Sequence, residues 1–194
     1  MNPNLNALVA AAFVCGLAHS TAQAGEANTG LVKRGAQLAA YGGCIDCHTP
    51  FKLGPNGPEK DMARGLSGHP AELVLPPPPK VDGAWNWSGS ASNTAFFGPW
   101  GTSYASNLTP DRETGIGTWS EKEFIRAMRT GTHLGAGRPI MPPMPWRSVG
   151  SLPDKELRAL FAYLKAQAPV KNKVPDYLPP ASTTGQSANG KTAG

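Results

Sequence analysis

Hydrophobic and polar positions alternate along this chain with different periods, and each change of period marks an element. The chain opens on an unbroken apolar run, "ALVAAAFVCGLA" at 7–18, followed by "AQA" at 22–24. An apolar core of this length with a small-x-small site behind it predicts an export signal, residues 1–24, cleaved after Ala24. The run is too short to span a bilayer as a helix. Its leading segment "MNPNLN" has no Lys or Arg and offers only the terminal amine. "TGLVKRGAQLAAYGG" places Leu31, Leu38 and Tyr41 on one side of a helix that Gly42 and Gly43 end. "TWSEKEFIRAMRTG" has Ser120 and, three residues on, Glu123, a capping box. Phe124, Ile125 and Met128 form its apolar face, and Gly131 stops it. "SLPDKELRALFAYLKAQAP" repeats the plan, with Ser151 as cap, Asp154 answering it, and Leu157, Leu160, Phe161 and Leu164 as the buried stripe.

Between Pro50 and Phe96 no period holds. "PPPP" at 76–79 predicts a polyproline II piece, and Trp85 and Trp87 are expected to pack. "FFGPWGTSYASNLTPD" reads as a loop, and residues 171–194 read as a disordered tail. The organisation predicted is therefore a signal at 1–24, one domain at 25–170 and a tail at 171–194.

Composition sharpens this picture. Charged residues are 16% of the chain, while Gly 23 and Pro 20 together exceed a fifth of its 194 residues. Such a chain forms few long regular elements and needs help holding its middle together, for which a large buried cofactor is one source. The net charge of +5 survives signal removal, because residues 1–24 carry no Lys, Arg, Asp or Glu. The basic residues are scattered, with no aromatic-interleaved basic patch, which argues against nucleic acid and leaves anionic lipid or an acidic protein partner as readings of the charge.

The chemistry lies in "YGGCIDCHTP" at 41–50. With Cys15 removed in the signal, Cys44 and Cys47 are the only thiols left, in an oxidising compartment. A disulfide between them would close a very short loop and stabilise little. A redox-active pair would want a βαβ setting that the neighbouring Pro- and Gly-rich stretches do not supply. Zinc would want four ligands, and there is no second CxxC, while His69 and His133 stand alone. Covalent haem explains every member of the motif. Thiols three positions apart can bond the two vinyl groups along one porphyrin edge, and His48 directly after them can take the iron from the proximal side. One CxxCH predicts one haem c. Asp46, between the cysteines, is assigned no role.

The second axial position decides between a carrier and a catalyst. "GRPIMPPMPWRSVG" at 137–150 offers Met141 and Met144, each followed by proline. Proline stiffens such a stretch and lets it hold a weakly binding thioether against iron. The alternatives are methionines that only pack, and His133 as a rival ligand. The stretches "YGGCIDCHTP", "FFGPWGTSYASNLTPDRETGIGTWSEKEFIRAMRTG", "GRPIMPPMPW" and "LPDKELRALFAYLKAQAPV" together resemble class I c-type cytochromes. More narrowly, they are similar to the cytochrome c domains associated with periplasmic alcohol and other PQQ-type dehydrogenases.

The resemblance implies a small, mostly α-helical fold around one covalent haem, with long Pro- and Gly-rich loops. It implies that the last helix crosses the first near the haem, with Leu160 and Phe161 against it. It selects Met144, in the context Pro142, Pro143, Met144, Pro145 and Trp146, as distal ligand, with Met141 as second choice. Trp100, Tyr104, Asn107 and Arg129 are candidates to bond the haem propionates.

The function expected is one-electron transfer in the periplasm, by a carrier and not an enzyme. A dehydrogenase would serve as donor, an oxidase or another cytochrome as acceptor, and no membrane span is expected after signal cleavage. The alternatives are a subunit of a dehydrogenase complex, or a haem enzyme or gas sensor with an open sixth position.

Overall fold

The computed structural model describes residues 28–78 and 85–180. The segment read as an export signal, the end of the tetraproline at Pro79, and residues 181–194 lie outside the described residues. Helix α1 runs over 28–41, and Gly42 and the left-handed Gly43 (φ 64°) end it and lead into the single-turn helix α2, Cys44–His48. Near the other end come α3 (Glu121–Thr130), α4 (Trp146–Gly150) and α5 (Asp154–Lys165). Between the two helical regions the chain builds two small antiparallel sheets. One is the hairpin β1 (Phe51–Gly54) and β2 (Gly57–Lys60); the other orders β3 (Ser88–Gly89), β4 (Ala95–Gly98) and β5 (Gly101–Tyr104). No helix among the described residues is long and apolar enough to cross a membrane.

The sheets correct two expectations. The unreadable stretch after Pro50 contains a hairpin closed by Gly54 opposite Gly57. The supposed loop at Phe96–Tyr104 is a second hairpin, with Gly98 opposite Gly101 across Pro99–Trp100. Two glycines around a two-residue connection make a tight reversal, which a scan for long alternation passes over. Trp87 packs on Phe96 at 6.1 Å between ring centres, as expected, but Trp85 is 78% exposed and fills no core position.

The core is assembled by the helices. Ala39 of α1, Phe124, Ala127 and Met128 of α3, and Leu157, Leu160 and Leu164 of α5 bury together with Leu66 and Ile116 from the intervening loops. Helix α3 begins as its sequence dictates: Ser120 Oγ accepts from the Glu123 amide and Glu123 Oε2 accepts from the Ser120 amide, and Gly131 (φ 68°) closes the far end. Helix α5 does not use the cap assigned to it. Its N-cap is Pro153; the Ser151 hydroxyl turns back to donate to the Ser148 carbonyl at the end of α4, and Asp154 accepts from Arg129. The preceding α4 had already claimed the serine.

Helices α1 and α5 meet backbone to backbone. Gly35 is buried, and a Cβ built on it would lie 2.0 Å from the Ala159 carbonyl oxygen and 2.6 Å from Tyr163 Cβ. The expected crossing is therefore present, through Ala159 and Tyr163; Phe161 instead stacks on Phe124 of α3, 5.3 Å between ring centres. The face α1 buries is Gly35, Leu38 and Ala39, while Tyr41 is 92% exposed. The smallest residues set the contact because they allow the closest approach of the two axes.

The region read as a tail is part of the body as far as Pro180. Leu178 pairs with Thr102 through both backbone bonds, 2.8 and 3.0 Å, and the Tyr177 hydroxyl donates to the Trp100 carbonyl. Asn172 is 3% exposed. Low apolar periodicity misled here, because this segment is held by polar contacts.

Replacing Gly35 by alanine is expected to destabilise the fold by about 1–3 kcal/mol, as forced overpacking does. A urea titration is expected to show a lower midpoint with unchanged slope. A midpoint equal to that of the unmodified chain would place the helix crossing elsewhere.

Candidate functional site

The site is built outward from α2. Cys44 and Cys47 are separated by one helical turn, both half-buried and both free thiols. Burial is the main cause pushing the pKa of each thiol up; at Cys47 Asp46 adds to it and Lys60 opposes it. Cys44 and Ile45 lean on the helical core, so the turn is anchored on its inner side. On its outer side Lys60 of β2 pairs with Asp46, and the Asn93 side chain donates to the Asp46 carbonyl at 2.8 Å.

His48 is 8% exposed, and burial lowers its pKa, which favours the neutral ring. Its Nδ1–H donates to the backbone carbonyl of Ser106 at 2.7 Å. A carbonyl only accepts, so the proton sits on Nδ1 and Nε2 carries the free lone pair. This is the arrangement by which an outer partner orients a ligating imidazole and raises its basicity.

Met144 packs against the same cluster as Cys44, Ile45 and Leu108, and Met141 does not. The Met loop is held at three points. The Ile140 amide donates to the Gly131 carbonyl at 2.8 Å, and the His133 amide to the Arg138 carbonyl at 2.8 Å. The Ser103 hydroxyl of β5 donates to the Pro142 carbonyl at 2.5 Å, and the Pro142–Pro143 peptide is cis. His133, the rival ligand, sets its ring edge-on to Trp119 at 4.9 Å.

The four side chains expected at the propionates are otherwise engaged. Trp100 donates to Ser103 Oγ at 3.3 Å, Arg129 bonds the Gly150 carbonyl and Asp154, and the Tyr104 ring packs at a tilt against His69, 4.9 Å between ring centres. Asn107 is 4% exposed and donates to the Val170 carbonyl at 2.8 Å while accepting from the Thr109 amide and hydroxyl. These groups brace the loops around the site.

Sequence reading missed the acceptor that orients His48. Ser106 acts through its carbonyl, and a backbone carbonyl carries no residue signature. His69 was also passed over. It is fully buried: Nε2–H donates to the Leu73 carbonyl at 3.0 Å, and Nδ1 accepts from the Thr94 hydroxyl at 2.9 Å.

A covalent haem fits the donor set. Two free thiols stand one turn apart, an adjacent buried imidazole is locked in the tautomer that leaves Nε2 unprotonated, and a thioether is packed onto the same core.

No family model matches the chain. It is 36% identical over 151 residues, 78% of its length, to a nicotinate dehydrogenase subunit of Pseudomonas putida. It is 30% identical over 178 residues, 90% of its length, to the cytochrome c subunit of the quinone alcohol dehydrogenase of Gluconobacter oxydans. It is 33% identical over 146 residues, 75% of its length, to the gluconate 2-dehydrogenase cytochrome c subunit of Pantoea cypripedii. The chain spans 10%, 30% and 25% of those three proteins.

His69 gives the fold a pH dependence with a definite sign. Burial lowers its pKa, partly offset by the bond to Leu73. A histidine of the unfolded chain ionises near about 6.5, so the stabilisation is fully present above that pH and is lost as pH falls below it. Denaturant midpoints measured as pH falls from about 6.5 are expected to decline, and His69→Gln to flatten the decline. His133, lowered by burial as well, leaves a residual slope.

Proposed function

This chain is a cytochrome c similar to those of dehydrogenase complexes, and we propose that it carries one electron at a time on a single covalently held haem, between a dehydrogenase and a second redox protein outside the cytoplasm. The observation that carries this reading is the 2.7 Å bond from His48 Nδ1 to the Ser106 carbonyl, one residue beyond two free thiols. An imidazole used only for packing has no need of a fixed free nitrogen.

Cys44 and Cys47 would hold the haem through thioethers, His48 Nε2 would take the proximal position and Met144 the distal one. When bound, the haem supplies one-electron iron chemistry. The chain's own part is to keep the ligands still. The Ser106 carbonyl keeps His48 from rotating, and Ser103, Gly131 and Arg138 pin the loop that presents Met144. Ligands that do not move between oxidation states favour fast transfer, and a filled distal position favours a carrier over a catalyst or gas binder. The chain's similarity to cytochrome subunits supports a role inside a dehydrogenase complex, with the basic charge suiting an acidic docking partner. Export to the periplasm rests on the apolar segment at 7–18 with its small-residue site.

The test is production in a host that matures c-type cytochromes. The mass is expected to increase by one haem, and the ferric spectrum to carry the charge-transfer band of thioether ligation. Met144→Ala is expected to abolish that band and open the reduced iron to carbon monoxide, while Met141→Ala retains it. Loss of the band in Met141→Ala alone reverses the ligand assignment; a mass without adduct refutes the function.

A further inference from the structure

The carbonyl that holds His48 is itself held, and by a residue far away in sequence. The peptide on the N-terminal side of Ser106 is fixed at both ends of Ala105: its amide donates to the Thr94 carbonyl at 2.8 Å, and its carbonyl accepts from the His69 amide at 2.9 Å. On the other side, the Asn107 side chain donates to the Val170 carbonyl at 2.8 Å, and the Leu108 amide donates to the Leu66 carbonyl at 2.8 Å. Gly68 lies directly on the acceptor. Its φ is +78°, and a Cβ there would fall 2.3 Å from the Ala105 oxygen and 2.7 Å from the Ser106 oxygen. The Gly68 amide also donates to the His48 carbonyl at 2.8 Å. The segment 67–69 thus touches both the histidine's own backbone and the strand that supplies its acceptor.

Asn172 locks that segment. Its Nδ2 donates to the Ser67 carbonyl at 2.7 Å and to the His69 carbonyl at 2.8 Å, and its Oδ1 accepts from the Ala71 amide at 2.9 Å. Its own amide donates to Thr114 Oγ1 at 3.0 Å, which joins the lock to the loop after Asn107. The carboxamide is 3% exposed and bridges two carbonyls either side of Gly68. Few other side chains could do this: a carboxylate has no donor, and a hydroxyl has one.

We propose that Asn172, acting through Gly68, is a positioning residue for His48 that sets the strength of the Nδ1–H to Ser106 bond and through it the reduction potential. The inference rests on the haem reading above. Loosening 67–69 lets the Ser106 carbonyl draw away from Nδ1. A weaker bond leaves the imidazole a poorer electron donor, which disfavours the oxidised iron and moves the potential upward.

The experiment uses the matured full chain, with Asn172→Ala, Gly68→Ala and, as a control destabilised at a remote helix end, Ser120→Ala. The haem adduct and the visible spectrum are recorded first, so that failure of the haem reading appears in the unmodified protein. For Asn172→Ala and Gly68→Ala, the expected result is an unchanged adduct, a more positive potential, and exchange of the His48 Nδ1 proton faster by roughly fivefold, the factor that corresponds to ~1 kcal/mol of lost hydrogen-bond support. Ser120→Ala is expected to lower the denaturant midpoint with potential and exchange unmoved. If Asn172→Ala does not accumulate folded, Asn172→Ser, which keeps one donor, is measured in the same way and is expected to shift both readouts in the same direction. Potential and proton exchange that stay at the unmodified values in a folded, haem-loaded variant overturn the proposal, as does an equal shift in Ser120→Ala.

Discussion

One hydrogen bond organises the candidate centre: the Nδ1–H of His48 on the carbonyl of Ser106. It joins the single-turn helix that bears the cysteines to the strand end leaving the second hairpin. It also decides which imidazole nitrogen is free. A buried carbonyl must find a donor, and a buried ring nitrogen bearing a proton must find an acceptor, so each satisfies the other at no cost in exposed polar surface. Shifting either partner would leave two unsatisfied groups in the interior.

That constraint explains the architecture around it. A loop-rich chain cannot depend on ladders for its buried backbone groups, and here asparagine and threonine side chains take their place. Asn107, Thr109, Thr114 and Asn172 form one connected set that satisfies amides and carbonyls of three separate loops. The helices contribute a different kind of order. Their core is apolar and drawn tight by the contact of Gly35 with Ala159. Cys44, Ile45 and Met144 sit where this apolar core reaches the polar loop framework. A redox group placed at that boundary would meet a stiff, low-dielectric wall on one side and a fixed hydrogen-bond field on the other, two of the factors by which a protein tunes a haem.

The relatives give this design a setting. Similarity to cytochrome subunits of dehydrogenases extends over most of this chain but over only a fraction of each relative. The proposed role would follow from the held imidazole and thioether and from the basic surface charge.

Much of the candidate site could be read directly from the sequence, because its identity lies in contiguous residue types. Cys44, Cys47 and His48 are local, as are the capping box of Ser120 and Glu123, the stop at Gly131 and the apolar stripe of α5, all set by spacing along one helix. What only the tertiary structure decided depends on partners distant in the chain or on atoms that every residue possesses. Ser151 would cap α5 if α4 did not end on it. Phe96–Tyr104 is a hairpin because two strands find each other across a two-residue turn. Residues 171–180 look featureless because their attachment is polar and has no period. Above all, no sequence motif announces a backbone carbonyl. That Ser106 supplies the acceptor, with Gly68 against it and Asn172 behind, emerges only when segments some sixty and a hundred residues apart are brought within hydrogen-bonding distance.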